Sequence, residues 1–181
     1  MATAFAHGTP EERWVAARSA HDIPGSARIL AEALIRERNP RVREAMFTSL
    51  ACIATAESVE MILPFLRSDE AHFRTGALDA LRAMKGTVSP YLPQLLEDGD
   101  ADVRLLACEL VRNLPDDEAA RLLCALLEAE REPNVCAAAV EVLAEIGSAD
   151  ALQVLARCEE RFSSTPFLLF SIKVAADRIR S

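Results

Sequence analysis

The sequence predicts an all-α fold, an array of about five antiparallel helix pairs followed by a single C-terminal capping helix. Two observations carry the prediction: an apolar anchor residue recurs about every 30 residues, and apolar side chains follow each anchor in helical steps. The composition agrees, since the 181 residues include only 5% aromatic residues and six glycines. β-Sandwiches and barrels depend on aromatic and β-branched residues and on glycine-rich turns, so this composition disfavours them.

The repeat becomes visible when four similar segments are aligned on one apolar anchor. The anchors are Val42, Phe73, Val103 and Val135. Their spacings are 31, 30 and 32 residues, and a further step of 32 reaches Phe167. A step of 30 back from Val42 reaches Glu12, a polar version that suits an end repeat. A period in this range is typical of stacked helix pairs.

Each anchor begins the first helix of a pair, which we call helix A. A mostly small or slender side chain stands four residues after the anchor, a larger aliphatic one eight residues after it, and a third apolar one eleven residues after it. These positions are Met46, Leu50 and Ile53; Ala77, Leu81 and Met84; Ala107, Val111 and Leu114; and Ala139, Leu143 and Ile146. Because steps of four, four and three keep one helical face apolar, we expect these residues in the core.

A chain-breaking turn follows each helix A, and a second apolar helix, helix B, follows the turn. The turns are Pro24-Gly25, 55–58, Gly86-Thr87, 115–117 and Gly147-Ser148. They combine a helix stop with residues that can cap the next helix. The units then lie at about residues 9–37, 38–68, 69–98, 99–130 and 131–161, with a terminal helix at 165–180. We therefore expect one repeat domain over residues 1–181.

The recurring unit, Asp or Asn followed by Pro, Val, Arg, a small residue and Leu, resembles the short HEAT repeats first grouped with phycobilisome lyases. The resemblance is best at residues 39–53 and 100–114, and the usual Arg after the anchor is missing at Cys136 and Leu168. It implies a right-handed α-solenoid whose B helices line the concave face. It is specific for fold and not for function, because many unrelated binding proteins share such repeats.

Charge and cysteine usage indicate the compartment and exclude some partners. The net charge is −8, and the 18 arginines and two lysines form no basic run, so we expect neither a nucleic-acid nor a membrane partner. None of the five cysteines forms a C-x-x-C pair, which favours a reducing environment. The first ten residues lack the features of a signal peptide, and the longest uncharged run has about 12 residues. We expect a cytoplasmic protein.

Three arginines recur one residue after the anchor: Arg43, Arg74 and Arg104. An arginine stripe could bind acidic or phosphate ligands. Recurrence at a fixed repeat position favours the alternative, a structural ladder in which each guanidinium binds loop carbonyls or an acid in the adjacent turn. The acids available there are Asp69, Glu70, Asp100 and Asp102.

No catalytic, cofactor or metal site is predicted. His7, His21 and His72 are not spaced as a helical metal pair, and none precedes a Glu as in the iron-binding HEAT-type hydroxylases, so we expect exposed histidines. The sequence has no phosphate-binding glycine loop and no nucleophile elbow. The cysteines have no His nearby, and packing thiols are the expectation. Cys136, close to a helix N-terminus, is the one thiol that we single out as a reactive candidate.

Two surfaces are candidates for binding a protein. The first is the outward ridge of the B helices, which carries little charge. We place on it Glu32, Pro64, Gln94, Ala125 and Gln153. The second is the terminal helix, where Phe167 and Phe170 belong to an apolar set that covers most of the helical circle. Such a helix either buries two faces against the last repeat or binds a partner or a second copy.

The leading functional hypothesis is a non-catalytic adaptor or scaffold that binds a protein partner through the concave face or the terminal helix. An alternative, supported by the repeat resemblance alone, is an accessory protein similar to bilin lyases, which act on tetrapyrrole-carrying proteins. A third, nucleic-acid binding as in HEAT-like DNA glycosylases, is disfavoured by the acidic charge and the scattered arginines.

Overall fold

The computed structural model describes residues 1–147 and 149–180, and the regular elements in these residues are all helices. The predicted all-α class is therefore confirmed. Ser148, predicted to lie in a turn with Gly147, is outside the described residues. The α-helices are α1 (Ala2–His7), α2 (Pro10–Arg18), α3 (Ser26–Leu34), α4 (Pro40–Ile53), α5 (Ala56–Ile62), α6 (Ala71–Ala83), α7 (Lys85–Val88), α8 (Leu92–Leu96), α9 (Ala101–Val111), α10 (Asp116–Ala129), α11 (Pro133–Ile146), α12 (Ala151–Arg161) and α13 (Pro166–Arg180).

The helices alternate as predicted between A and B types. Helices α2, α4, α6, α9 and α11 are A helices, and α13 occupies the A position at the C-terminus. Helices α3, α5, α10 and α12 are B helices, while the B segment of the third pair consists of α7, α8 and a 3₁₀ turn between them. Prolines explain this interruption, because Pro90 and Pro93 lack the N–H that a continuous helix needs. The repeat limits and the handedness of the superhelix stay predictions.

Local sequence determines where the A helices begin. Pro occupies the first turn of α2, α4 and α11, where its missing N–H costs nothing. The Thr9 hydroxyl accepts a bond from the N–H of Glu12, whose carboxylate accepts one from the N–H of Thr9. The side chains of Asn39 and Asp100 likewise cap α4 and α9.

The chain divides into two compact units, which we call the N-terminal unit (Met1–Val88) and the C-terminal unit (Ser89–Ser181). In the N-terminal unit, A helices α2, α4 and α6 pack side by side, and B helices α3 and α5 form a second row. Its core contains an aromatic cluster, since the ring of Phe65 lies 5.6 Å from that of Phe47 and 5.4 Å from that of Phe73. Gly76 faces the Phe47 ring, and a Cβ there would lie 2.5 Å from two ring carbons.

In the C-terminal unit, α11 packs between α9 and α13, and α10 packs against α12. Its buried side chains are aliphatic and small, among them Leu110, Leu123, Leu127 and Leu143. The two units thus use one repeat pattern with different core chemistry, aromatic in the first and aliphatic in the second.

The predicted core positions are buried in both units. All four anchors, and the residues four and eight positions after them, have at most a few per cent of their surface exposed. Ile53 and Ile146, eleven positions after their anchors, are only half-buried. Sequence analysis missed α1, a six-residue helix that packs against α2 and α3. None of the described helices is long and apolar enough to cross a membrane.

Candidate functional site

The arginines after the anchors bind the loop that precedes each A helix, as the ladder interpretation predicts. In every case the guanidinium donates to the carbonyl six residues back: Arg43 to Glu37 at 3.4 Å, Arg74 to Ser68 at 2.6 Å, and Arg104 to Asp98 at 2.8 Å. These bonds satisfy carbonyls at the turn between repeats. The structural ladder stays a prediction, and these bonds support it over an arginine stripe that binds a ligand.

In the described part of the chain, no carboxylate of the acids predicted to pair with these arginines bonds to them, although Arg74 also donates to the backbone carbonyl of Asp69. Arg104 instead makes a bidentate pair with Glu130, at 2.7 Å and 2.9 Å, across 26 residues of sequence. Arg13 pairs with Glu37 in the same way, at 2.7 Å and 3.0 Å. Glu37 and Glu130 both stand five residues before an anchor, so the repeat alignment itself contained the signal that would have found them.

Each of these two glutamates is the centre of what we call an Arg–Glu node, defined as Arg13–Glu37 or Arg104–Glu130. Only 3% of the Glu130 side chain is exposed, and it also accepts bonds from the N–H groups of Arg131 and Glu132. Burial by itself would raise the pKa of Glu130, but the bonds from Arg104 and the two N–H groups outweigh it and lower the pKa below its ordinary value. The pKa of Glu37 is lowered for the same reasons, by Arg13 and the following backbone.

The N-terminal unit has an open cleft of about 680 Å³ along the B helices α3 and α5, which we call the N-terminal cleft. Its apolar lining includes Ile35, Met61 and Phe65. Ile35 is 68% exposed, Met61 is half-buried and Phe65 is 9% exposed. The rim carries Glu32 and three further charged residues: Arg28, Glu60 and Glu70. The cleft thus offers an accessible apolar floor inside a mostly acidic rim.

The C-terminal unit has a corresponding cleft of about 610 Å³ between α8 and α10, which we call the C-terminal cleft. Small and aliphatic residues line it: Pro93, Leu96, Leu122, Ala125, Leu126 and Ala129. Several of its charged groups already have structural bonds. Arg104 and Glu130 form a node, and the Asp98 carboxylate accepts from the N–H of Asp100 at 2.9 Å. Three further charged residues line this cleft: Glu97, Arg131 and Glu132.

All five residues predicted on the outward ridge of the B helices are solvent-exposed: Glu32, Pro64, Gln94, Ala125 and Gln153. The structure brings Glu32 and Pro64 together in the N-terminal cleft and places Ala125 in the C-terminal cleft. Gln94 and Gln153 line neither cleft. Sequence reasoning missed Ile35, although its position next to the buried Leu34 puts it a quarter-turn away from the core face.

The terminal helix α13 buries one face, not two. Leu168, Ile172 and Ala175 are buried in the C-terminal unit, where α13 packs against α11 and α12. Phe167 is 49% exposed and Phe170 is 70% exposed. With the exposed Val174 they form a stripe at helical spacing on the opposite side, which we call the α13 stripe.

The thiols are mainly packing groups. Cys108, Cys136 and Cys158 are buried, Cys124 is half-buried and Cys52 is exposed. Burial raises the pKa of Cys108 to about 12. Cys136 donates a hydrogen bond to Cys158, and this bond, together with Arg161, lowers the pKa of Cys158 to about 7 while that of Cys136 is raised. Cys136 thus has neither the exposure nor the lowered pKa of a reactive thiol.

The histidines are exposed, as predicted, and two of them lie beside acids. His21 is 3.5 Å from Asp22, and His72 is 3.3 Å from Glu70. Within residues 1–147 and 149–180, no group of three His, Cys, Asp or Glu side chains is arranged to hold a metal ion.

Comparison with known proteins identifies the repeat. The family model for HEAT repeats matches residues 88–161, which are 74 of the 181 residues. No curated protein matches the chain. Among solved structures, an engineered protein is 19% identical, with 99% of this chain and 94% of that chain covered and a TM-score of 0.48. Human deoxyhypusine hydroxylase in complex with glycerol is 17% identical, with 99% and 83% covered and a TM-score of 0.49. A designed armadillo repeat protein is 18% identical, with 98% of each chain covered and a TM-score of 0.46.

Proposed function

We propose that this chain is a non-catalytic adaptor or scaffold and that it binds a partner protein in the N-terminal cleft. The observation that carries the proposal is the exposed side chain of Ile35 beside Met61 and Phe65. Water contact with this apolar surface is unfavourable, and a partner side chain that covered it would gain roughly 25 cal/mol for each Å² of apolar surface buried. HEAT repeats support the same reading, because stacked helix pairs present extended binding surfaces.

The other two functions have less support. The bilin-lyase-like alternative still rests on the repeat resemblance alone, and a shift in the visible spectrum of an added linear tetrapyrrole would support it. Nucleic-acid binding is disfavoured by the charge distribution, because residues 89–181 contain 17 acidic and nine basic residues. A gel shift at low salt tests it, and we expect none.

Affinity capture from a native lysate with paired baits tests the adaptor proposal. One bait carries Ile35→Ser in the N-terminal cleft, and the control carries Val15→Ser, the same kind of change at an exposed apolar residue of α2. We expect a stoichiometric partner on the wild type and on the control, reduced on the Ile35→Ser bait. Equal capture by all three baits would remove the cleft from the proposal. If this chain changed the partner chemically, and the change depended on one residue of this chain, we would replace the proposal of an adaptor by that of an enzyme.

The α13 stripe supports a second contact, with a partner or with a second copy of the chain. An apolar stripe with Phe170 at its centre is the kind of surface that dimer contacts cover. Sedimentation of the wild type and of Phe170→Ser tests the homodimer: we expect association in the wild type that the variant loses. If the wild type stays monomeric at high concentration, the homodimer is ruled out, and the α13 stripe would contact a different partner. The cytoplasmic location also stays a proposal, in line with the free cysteines.

A further inference from the structure

The rim of the N-terminal cleft determines which partner chemistry the cleft favours. The two helices and the loop that form it contribute three carboxylates, Glu32, Glu60 and Glu70, against one guanidinium, that of Arg28. This acidic excess is local, because the N-terminal unit as a whole has 11 acidic and 11 basic residues. His72 contacts Glu70 at 3.3 Å and adds positive charge only when it is protonated. The excess of carboxylates over guanidinium groups on the rim therefore favours a cationic partner.

The floor of the cleft sets a second requirement. Ile35, Met61 and Phe65 form an apolar surface to which only an apolar side chain is complementary. Methionine adapts its shape to differently shaped partners, so Met61 suits a contact surface of this kind. A groove between two neighbouring helices is also a geometry in which an amphipathic helix binds, through apolar residues spaced by three and four positions.

We infer that the N-terminal cleft binds a basic amphipathic segment of a partner protein. An apolar side chain of that segment covers Ile35, Met61 and Phe65. Its flanking Lys or Arg side chains lie beside the carboxylates of the rim. The inference rests on the proposed function and deepens it by naming the chemistry of the partner.

The C-terminal unit is acidic as well, with 17 acidic and nine basic residues. Its cleft uses Glu130 and Arg104 in a node, and the Asp98 carboxylate accepts a bond from the N–H of Asp100, so these groups already have partners within the chain. Its net charge of −8, the whole of the chain's excess, still attracts basic segments over distances of about a Debye length, roughly 8 Å at physiological salt. Such a field raises the rate of association more than it raises final affinity.

Selection from a random peptide library displayed on phage tests the inference with the intact chain as bait. We expect the recovered peptides to place Leu, Ile or Phe at helical spacing with Lys or Arg beside them. Binding of a recovered peptide is then measured by fluorescence anisotropy against the wild type and against variants. The substituted residues are solvent-exposed, so we expect the variants to stay folded, and thermal melting checks this.

Two matched pairs of variants separate the apolar and the charged contributions. Ile35→Ser should weaken peptide binding by about fivefold or more, as truncation of an apolar anchor does, whereas Val15→Ser should leave it unchanged. The double change Glu32→Gln with Glu60→Gln should weaken binding by about fivefold and reduce its salt dependence, whereas Glu57→Gln, elsewhere on α5, should do neither.

The outcomes distinguish this inference from the adaptor proposal. Peptides that are acidic or uncharged, or that bind Ile35→Ser as tightly as the wild type, would overturn the inference, and so would a library that yields no cleft-dependent peptide. The adaptor proposal would survive all three results if the lysate partner still depended on Ile35. The adaptor proposal would fail separately, whatever the peptide result, if the wild-type bait captured no protein from the lysate.

Discussion

The two units of this chain are built from the same repeat but present different chemistry to solvent. The N-terminal unit has as many acidic as basic residues, an aromatic core and a cleft whose floor leaves Ile35 exposed. The C-terminal unit carries the entire net charge of −8, has an aliphatic core and uses charged groups of its cleft for structural bonds. Residues at equivalent positions of the repeat pack in the same way in both units. Residues that differ between equivalent positions give the two surfaces their different chemistry.

The largest expected effect concerns the node of the C-terminal unit. Arg104→Ala should destabilise the fold by about 3 kcal/mol, because it leaves the buried carboxylate of Glu130 without its partner. Arg74→Ala, at the same position in the N-terminal unit, loses only bonds to the carbonyls of Ser68 and Asp69 and should cost about 1 kcal/mol. Urea denaturation measures both, with the exposed Arg121→Ala as control. Equal losses for Arg104→Ala and Arg74→Ala would contradict the role assigned to the node.

The node should also make the C-terminal unit sensitive to acid. The pKa of Glu130 is lower in the folded chain than in the unfolded chain, so its stabilising contribution is complete above the ordinary pKa of 4.5 and is lost as the pH falls through the folded value. The difference in unfolding free energy between the wild type and Glu130→Gln should therefore be large at pH 7 and shrink below pH 4.5. Glu118→Gln, exposed on α10, is the matched control variant. A difference that stayed constant on acidification would show that the carboxylate charge is not what matters.

The aromatic core should make the N-terminal unit sensitive to a single methyl group. Gly76→Ala would place a Cβ 2.5 Å from the Phe47 ring, and we expect a loss of about 2 kcal/mol from the overpacked contact. Gly86→Ala meets no atom within 4 Å and lies in helix α7, so it should be neutral or stabilise by about 0.5 kcal/mol. Thermal unfolding measures both variants: we expect a lower melting temperature for Gly76→Ala and an equal or higher one for Gly86→Ala. A neutral Gly76→Ala would mean that the Phe47 ring moves without cost.

The smallest expected effect compares the ends of two equivalent A helices. Ala54 and Gly147 both stand twelve residues after an anchor and both adopt left-handed backbone, with φ of 48° and 73°. Because a Cβ is unfavourable there, Ala54→Gly should stabilise by about 1 kcal/mol and Gly147→Ala should destabilise by a similar amount. Differential scanning calorimetry of both variants measures this. If both variants shifted the melting temperature in the same direction, the explanation by left-handed backbone at these two positions would be contradicted.

The sequence predicted most of the fold because helical periodicity is a local signal. Steps of four, four and three after Val42 or Val135 leave one choice of buried face, and those residues are buried. The same phase predicted that Pro64 and Ala125 face outward. The interrupted B segment at 85–96 was harder, because its apolar pattern is that of one helix while Pro90 and Pro93 break the backbone bonds.

The candidate site was only partly predictable, because it depends on contacts between distant residues. The pair of Arg104 and Glu130 joins positions 26 residues apart, and the acids nearer in sequence, such as Asp102, looked equally suitable. Helical periodicity places Ile35 off the core face, but it does not say whether another element covers the side chain. The bond between Cys136 and Cys158 likewise joins positions 22 residues apart, on the A and B helices of the last pair.

Site-specific photocrosslinking tests most directly the central claim, that the N-terminal cleft is the protein-binding surface. A photoreactive amino acid would replace Pro64 in the N-terminal cleft, Ala125 in the C-terminal cleft or Thr48 on the exposed side of α4, all of them solvent-exposed. The account predicts a discrete crosslinked partner from position 64, less from position 125 and none from position 48. Crosslinking that is strongest from position 48 or 125, with none from position 64, would contradict it.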